Sequence, residues 1–187
     1  MNQYKRFLAV ILFTIISGNI SAQKTREIPV FEGHHKNIYV EFLGSNLLAG
    51  VNFDMRLKKG RMDGIGFRVG VGGISVSGFD QNTELNIGIV TFPIEFNHVV
   101  GKRRSSLISG VGLLPIYATI SGDGELTDYE YVQADGFGLA GGFLTFGYRL
   151  QPLKTGFMMQ FNWNPMILRG SGFNAGWIGL SMGIGFK

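Results

Sequence analysis

The sequence predicts an all-β fold, an eight-stranded antiparallel up-and-down transmembrane β-barrel. Three observations predict it. Apolar residues recur at every second position in eight separate runs, the mark of strands with two unlike faces. Glycine accounts for 29 of 187 residues, about twice its usual share, and it concentrates between the apolar positions. Charged residues make up only 16%, against about 25% in ordinary soluble domains.

The first 22 residues are read apart from the fold. Lys5 and Arg6 precede the ten-residue apolar stretch Phe7 to Ile16, too short to span a bilayer as a helix. Small and polar residues follow, ending at Ala22, so residues 1–22 are expected to be a cleaved secretory signal peptide. Residues 23–36 then form a periplasmic N-terminal segment and 37–187 the barrel. Cleavage leaves 165 residues with 15 basic and 13 acidic side chains. No lysine–arginine run interleaves with aromatics, which argues against nucleic acid as a partner. The chain has no cysteine, so it has neither a disulfide framework nor a cysteine-linked lipid anchor.

The eight runs follow in order. "NIYVEFLG" sets Ile38, Val40 and Phe42 against Tyr39 and Glu41. "LAGVNFDMRL" sets Val51, Phe53 and Met55 against Asn52, Asp54 and Arg56. "GIGFRVGVG" sets Ile65, Phe67, Val69 and Val71 against Arg68 and three glycines. "TFPIEFNH" sets Phe92, Ile94 and Phe96 against Glu95 and Asn97. "SLISGVGLLPIY" sets Leu107, Val111 and Leu113 against Ile108, Gly110 and Gly112, the least regular alternation. "LTFGYRL" sets Leu144, Phe146 and Tyr148 against Thr145, Gly147 and Arg149. "GFMMQFNWN" sets Phe157, Met159, Phe161 and Trp163 against Met158, Gln160 and Asn162. "WIGLSMGIGF" sets Ile178, Leu180, Met182, Ile184 and Phe186 against Ser181 and three glycines. Leu85, Ile87 and Ile89 are out of phase with Phe92, and Phe137 and Leu139 with Leu144; each predicts a β-bulge.

Which face is inside follows from volume. A face of glycine with scattered Asn, Ser, Asp and Arg makes a poor solvated surface, because glycine weakens a strand. An eight-stranded ring has room inside for side chains and little more, and filling it with Phe, Ile, Leu and Met would overpack it. The apolar face is therefore expected to meet lipid, which needs a closed ring in the absence of any long apolar helix after residue 22. With the N-terminus in the periplasm, the inner turns "KKGRMD", "GKRRS" and "QPLKTG" are short and basic. The outer loops "SVSGFDQNTE" and "ATISGDGELTDYEYVQADG" are long and acidic. "GSN" predicts a tight outer hairpin.

"NIYVEFLGSNLLAGVNFDMRL", "TFPIEFNHVVGK" and "FGYRLQP" resemble a family of small eight-stranded outer-membrane barrels from Bacteroidetes, similar in architecture to the OmpA- and OmpX-like barrels. The resemblance covers nearly the whole mature chain. It implies a cell outer membrane location, contact with outer-membrane lipid and lipopolysaccharide, and insertion by the barrel-assembly machinery. That machinery usually recognises a terminal aromatic; here Phe186 is penultimate. Members mostly lack an assigned activity.

The inward-facing charges are Glu41, Asp54, Arg56, Arg68, Glu95 and Arg149. Three acids and three bases in a narrow interior must be paired and hydrogen-bonded, which predicts a side-chain plug; the alternative is a gated conduit for small solutes. Tyr117, Tyr148, Trp163 and Phe186 lie near strand ends on the lipid face and are read as aromatic girdles. No catalytic, cofactor or metal site is predicted. "GFGLAG" matches a nucleotide-loop pattern but begins a strand rather than a helix. His34 and His35 could hold a metal only weakly, lacking further ligands. His98 would serve a lipid-modifying enzyme only with a serine and an acid at its level, and none is evident. The acidic loop at 121–136 offers spaced oxygens for divalent ions without an EF-hand pattern; it, or Tyr129 and Tyr131 within it, could also contact a surface protein partner. The sequence thus favours a non-enzymatic structural or surface-interaction protein.

Overall fold

The computed structural model describes residues 31–80, 83–101, 103–124 and 132–187. The segment 1–22, read as a signal peptide, lies outside them, as do residues 125–131 of the acidic loop with Tyr129 and Tyr131; its flanks, 121–124 and 132–136, are strand rather than loop. The described residues are all-β and antiparallel, with one 3-10 turn. The strands are β1 (Lys36–Leu43), β2 (Ala49–Arg56), β3 (Gly64–Asp80), β4 (Thr83–Thr91), β5 (Ile94–Val100), β6 (Ser105–Gly124), β7 (Val132–Leu150), β8 (Gly156–Trp163), β9 (Met166–Leu168), β10 (Gly172–Asn174) and β11 (Ile178–Phe186). Each run of alternation falls within or across these strands.

The strands form a ring. β1 pairs with both β2 and β11, and β11 pairs in turn with β8. β8 and β9 both pair with β7, β7 with β6, and β6 with both β4 and β5. β4 and β5 both pair with β3, and β3 with β2. The near end of the ring is where β1 begins and β11 finishes; the far end is opposite.

Side chains are distributed inside out relative to a soluble domain. Among the described residues, thirty-five large apolar side chains are exposed and eight apolar residues are buried. Phe96, Val111 and Phe157 are each at least 60% exposed, whereas Glu41, Asp54, Arg56 and Arg149 are fully buried. A water-soluble monomer rarely exposes an apolar patch beyond a few hundred Å².

One predicted bulge is present. The β6–β7 register shifts between Leu114 and Pro115, leaving Ala140 unpaired, so that Phe137 and Leu139 share the outer face with Leu144. The other prediction is corrected. β4 and β5 keep a single register against β3 and against β6 across the break at Phe92–Pro93. Ile87 and Ile89 therefore stand on the same face as Glu95, toward the inside, and the Leu85 side chain lies outside those described. The alternation changed in the sequence because the polarity of the faces changes there, not the register.

"GSN" does join β1 and β2 in a short antiparallel hairpin, but the turn folds inward: Gly44–Asn46 is a 3-10 turn with all three residues buried. Leu43 and Leu47 take positive φ on either side of it, a conformation unusual for non-glycine residues.

Candidate functional site

Parity delivers the charges to one place. β1 supplies Glu41, β2 Asp54 and Arg56, β3 Arg68, β5 Glu95 and β7 Arg149, and each is at most 1% exposed. The intervening glycines make the room. A Cβ at Gly66 would meet the Arg56 guanidinium, one at Gly110 the Glu95 carboxylate, and one at Gly183 the Tyr39 backbone and Cβ. The high glycine content of the polar faces is thus a set of seats for large side chains on neighbouring strands.

Two clusters result. Toward the far end, Arg68 Nη2 lies 2.6 Å from Glu95 Oε2 and Nη1 3.4 Å from Glu41 Oε1. Arg68 Nη2 also donates to Ser45 Oγ at 2.6 Å, and the Phe143 ring lies 5.5 Å from the guanidinium carbon. Ser45 Oγ and Asn46 Nδ2 donate to Glu41 Oε2 at 3.0 and 2.6 Å. Thr145 Oγ1 donates to Glu95 Oε2 at 2.9 Å. Toward the near end, Asp54 accepts from Arg56 Nη2 at 2.6 Å and from Arg149 Nη1 at 2.8 Å. Asn37 and Asn97 also donate to Asp54, and Arg56 donates to Asn97.

A bridge joins the clusters. Arg149 donates to Gln160, Gln160 Nε2 to Asn162 Oδ1 at 2.9 Å, and Asn162 Nδ2 to Glu41 Oε1 at 3.3 Å. The network holds three acids and three arginines and is balanced in formal charge. An isolated buried ion would be prohibitive, and removing one partner of such a set is expensive. Beside the bridge, both amide atoms of Asn52 and Ser181 Oγ have no hydrogen-bond partner among the described residues.

Both ends of the interior are covered. At the near end Gln151 donates to Ser106 Oγ at 3.1 Å and to the Met62 carbonyl at 3.3 Å. His35 is fully buried there, and its backbone carbonyl accepts from Arg56 N–H at 2.9 Å. Burial, and next the charge of Arg149, lower the His35 pKa to about 4. The ring lies inside the protein, where burial favours its neutral form. Its neighbour His34 places Nδ1 2.9 Å from the Arg56 carbonyl. At the far end Leu114, Phe143 and Met166 form an apolar layer with Leu47, Ile116, Leu168 and Trp177 packed against it. The Trp177 indole N–H donates to the Gly44 carbonyl, which fixes the inward turn.

The four aromatic residues take different surroundings. Tyr148 and Trp163 are exposed on the outer face, where Tyr148 donates to Ser105 Oγ and Trp163 to the Ala175 carbonyl. Phe186 is half-buried at the near end of β11. Tyr117 is half-buried, donates to Asp135 at 2.7 Å, and adjoins Phe137, which stacks on Phe92 with ring centroids 5.6 Å apart. Phe92 and Phe137 belong with Tyr117; the bulge at Ala140 hid this from the alternation.

His98 has a closer partner than the sequence suggested. Ser109 stands directly across from it on β6, and both lie in a shallow outer groove with Ile65, Phe96, Val111 and Phe146. No acid lines that groove, so no triad forms. "GFGLAG" lies wholly within β7 and opens no helix. Among the described residues no group of three or more His, Asp or Glu could hold a metal ion, and no helix is long and apolar enough to cross a membrane, which bears only on helices.

Parity placed Asn97, Thr145, Gln160 and Asn162 on polar faces, but their role as ligands of the charges required knowing which strands meet. Ser45 and Asn46 had no periodic signal. Compared with known proteins, the chain matches no family model and no curated protein.

Proposed function

We propose that the ring is an eight-stranded transmembrane barrel of a Gram-negative outer membrane, with a sealed polar interior and a structural or surface-interaction role. The observation that carries this reading is the inversion of polarity, with charges buried in a paired network and aliphatic and aromatic side chains exposed all round the wall. Counting β4 with β5 and β8 with β9, and setting aside β10, which pairs only with β9, gives eight positions around the ring. β11 has nine residues, the length at which a tilted strand crosses the hydrocarbon. Basic turns at the near end suit the periplasmic side, and the resemblance to small Bacteroidetes barrels agrees with it. Outer-membrane lipid, lipopolysaccharide and the assembly machinery are the partners this location brings, and a surface protein would meet the far-end loops.

The ion-paired network supports a plug over a solute conduit, since Arg68 and Asp54 each bridge groups from different strands across the interior. An enzyme acting on lipid is disfavoured by the missing acid beside His98 and Ser109. Planar-bilayer recording tests the plug. The wild-type protein should give no steps above background, whereas a steady unitary conductance that changes in Glu95→Ala would establish the conduit instead.

A further inference from the structure

Two polar side chains interrupt the apolar outer wall near its basic end. Ile65, His98, Ser109 and Phe146 share one register line across β3, β5, β6 and β7. Along β6 the outward residues run Leu107, Ser109, Val111 and Leu113, and the three aliphatic ones are each at least 55% exposed. Ser109 is the gap in that row, and the gap is the shallow groove walled by Ile65, Phe96, Val111 and Phe146. His98 and Ser109 are both exposed, and among the described residues neither side chain has a hydrogen-bond partner. β5 ends at Val100 and β6 begins at Ser105. At about 3.3 Å per residue and a strand tilt of about 40°, the pair lies about 5–10 Å in from the near end. Tyr148, opposite Leu107 and bonded to Ser105 Oγ at 2.8 Å, stands between the pair and that end. An aromatic there marks the membrane–water interface, so the pair sits at the margin of the hydrocarbon.

We infer that this groove binds one glycerophospholipid of the near-end leaflet, with an acyl chain along Phe96 and Val111, an ester carbonyl on His98 and Ser109, and the phosphate on Arg104. The inference rests on the membrane-barrel reading, which puts the groove in lipid. A donor left without an acceptor in hydrocarbon is costly. A neutral imidazole and a hydroxyl each bring a donor, and an ester carbonyl is the acceptor that a bilayer lipid carries at that depth. Arg104 supplies the charge complement. It is exposed, and its carbonyl accepts from Gln151 N–H at 2.7 Å, which continues the β6–β7 ladder and fixes it beside Ser105 at the near end. From the near end inward the wall thus presents a guanidinium, then the donor pair, then apolar side chains. A glycerophospholipid presents phosphate, esters and hydrocarbon in the same order, and guanidinium matches phosphate in charge and geometry.

The test is native mass spectrometry of the full mature chain in detergent, titrated with dioleoyl phosphatidylglycerol. The first lipid is expected to bind at least tenfold more tightly than the second. Ser109→Trp fills the groove from the exposed face and should abolish that preference, whereas Phe161→Trp, elsewhere on the wall, should keep it within twofold. His98→Leu/Ser109→Val should weaken the first lipid about tenfold and leave its dialkyl ether analogue, which has no ester carbonyl, within twofold. Arg104→Gln should weaken phosphatidylglycerol about tenfold and leave dioleoylglycerol, which has no phosphate, within twofold. No preferred first lipid, or a preference that survives Ser109→Trp, overturns the inference. So does a dimer in sedimentation that Ser109→Trp dissolves, which would assign the groove to a second copy. Gel mobility of the same samples, boiled and unboiled, keeps the two readings apart. A retained heat-dependent shift with no preferred lipid removes the groove site alone; absence of the shift in the wild type removes the barrel, and the lipid site with it.

Discussion

Replacing Arg68 isolates the energetic logic of the interior. Arg68 serves two carboxylates, at 2.6 Å from Glu95 and 3.4 Å from Glu41. In Arg68→Met the two acids fare differently. Glu41 keeps donors from Ser45, Asn46 and Asn162. Among the described residues Glu95 keeps only the Thr145 hydroxyl, and its Oε1 has no partner there even before the change. Breaking a buried pair by removing one partner costs about 3–5 kcal/mol, because the other charge stays buried. The loss should therefore be about 4 kcal/mol and reside mostly on Glu95. Adding Glu95→Gln removes the stranded charge, so Arg68→Met/Glu95→Gln should recover about half of it. Urea unfolding in lipid or detergent, followed by fluorescence of Trp163 and Trp177, measures each corner of the double-mutant cycle. A single-variant loss below about 1 kcal/mol, or a double variant no more stable than Arg68→Met, would refute the reasoning.

Three further outcomes follow from the same geometry. Gly110→Leu should lower the urea midpoint by the equivalent of about 1–3 kcal/mol, because its side chain would occupy the seat of the Glu95 carboxylate; Val111→Ala, on the exposed face, should change it little. His35 has a pKa of about 4 in the folded chain against about 6.5 unfolded. Its contribution is therefore complete above pH 6.5 and is lost as pH falls toward 4, where the unfolded chain takes up the proton first. The loss should reach about 3 kcal/mol at most, read as the difference in pH dependence between wild type and His35→Gln. Deleting Ala140 should close the β6–β7 bulge and leave Leu139 opposite Pro115 and Phe137 opposite Tyr117 on the outer face, so the heat-dependent gel shift should be preserved; its loss would refute the assignment of Ala140 as the extra residue.

How much was legible in the sequence depended on whether polarity and register changed together. Where one alternation ran the length of a strand, as from Ile38 to Phe42 or Phe157 to Trp163, parity alone assigned each residue to its face, and the six charges it set inward are all buried. At Ile87 and Ile89 the register continued while the face preference reversed, and a period-two reading cannot tell that from a bulge. At Ala140 a real bulge produced the same signal. Ser45 and Asn46 were illegible because an inward turn has no period. The grouping of charges into an Arg68 cluster and an Asp54 cluster depends on strand order and stagger, which no single strand encodes.

The central claim is that the apolar wall faces lipid. The chain has no cysteine, so single cysteines at Val51, Phe96, Val111 and Phe161 can each carry one nitroxide in a reconstituted bilayer. The account predicts that all four are relaxed strongly by oxygen, which concentrates in hydrocarbon, and weakly by a water-soluble nickel chelate, all round the ring. Strong relaxation by the chelate at these positions would contradict it and place the apolar face in water or against another protein.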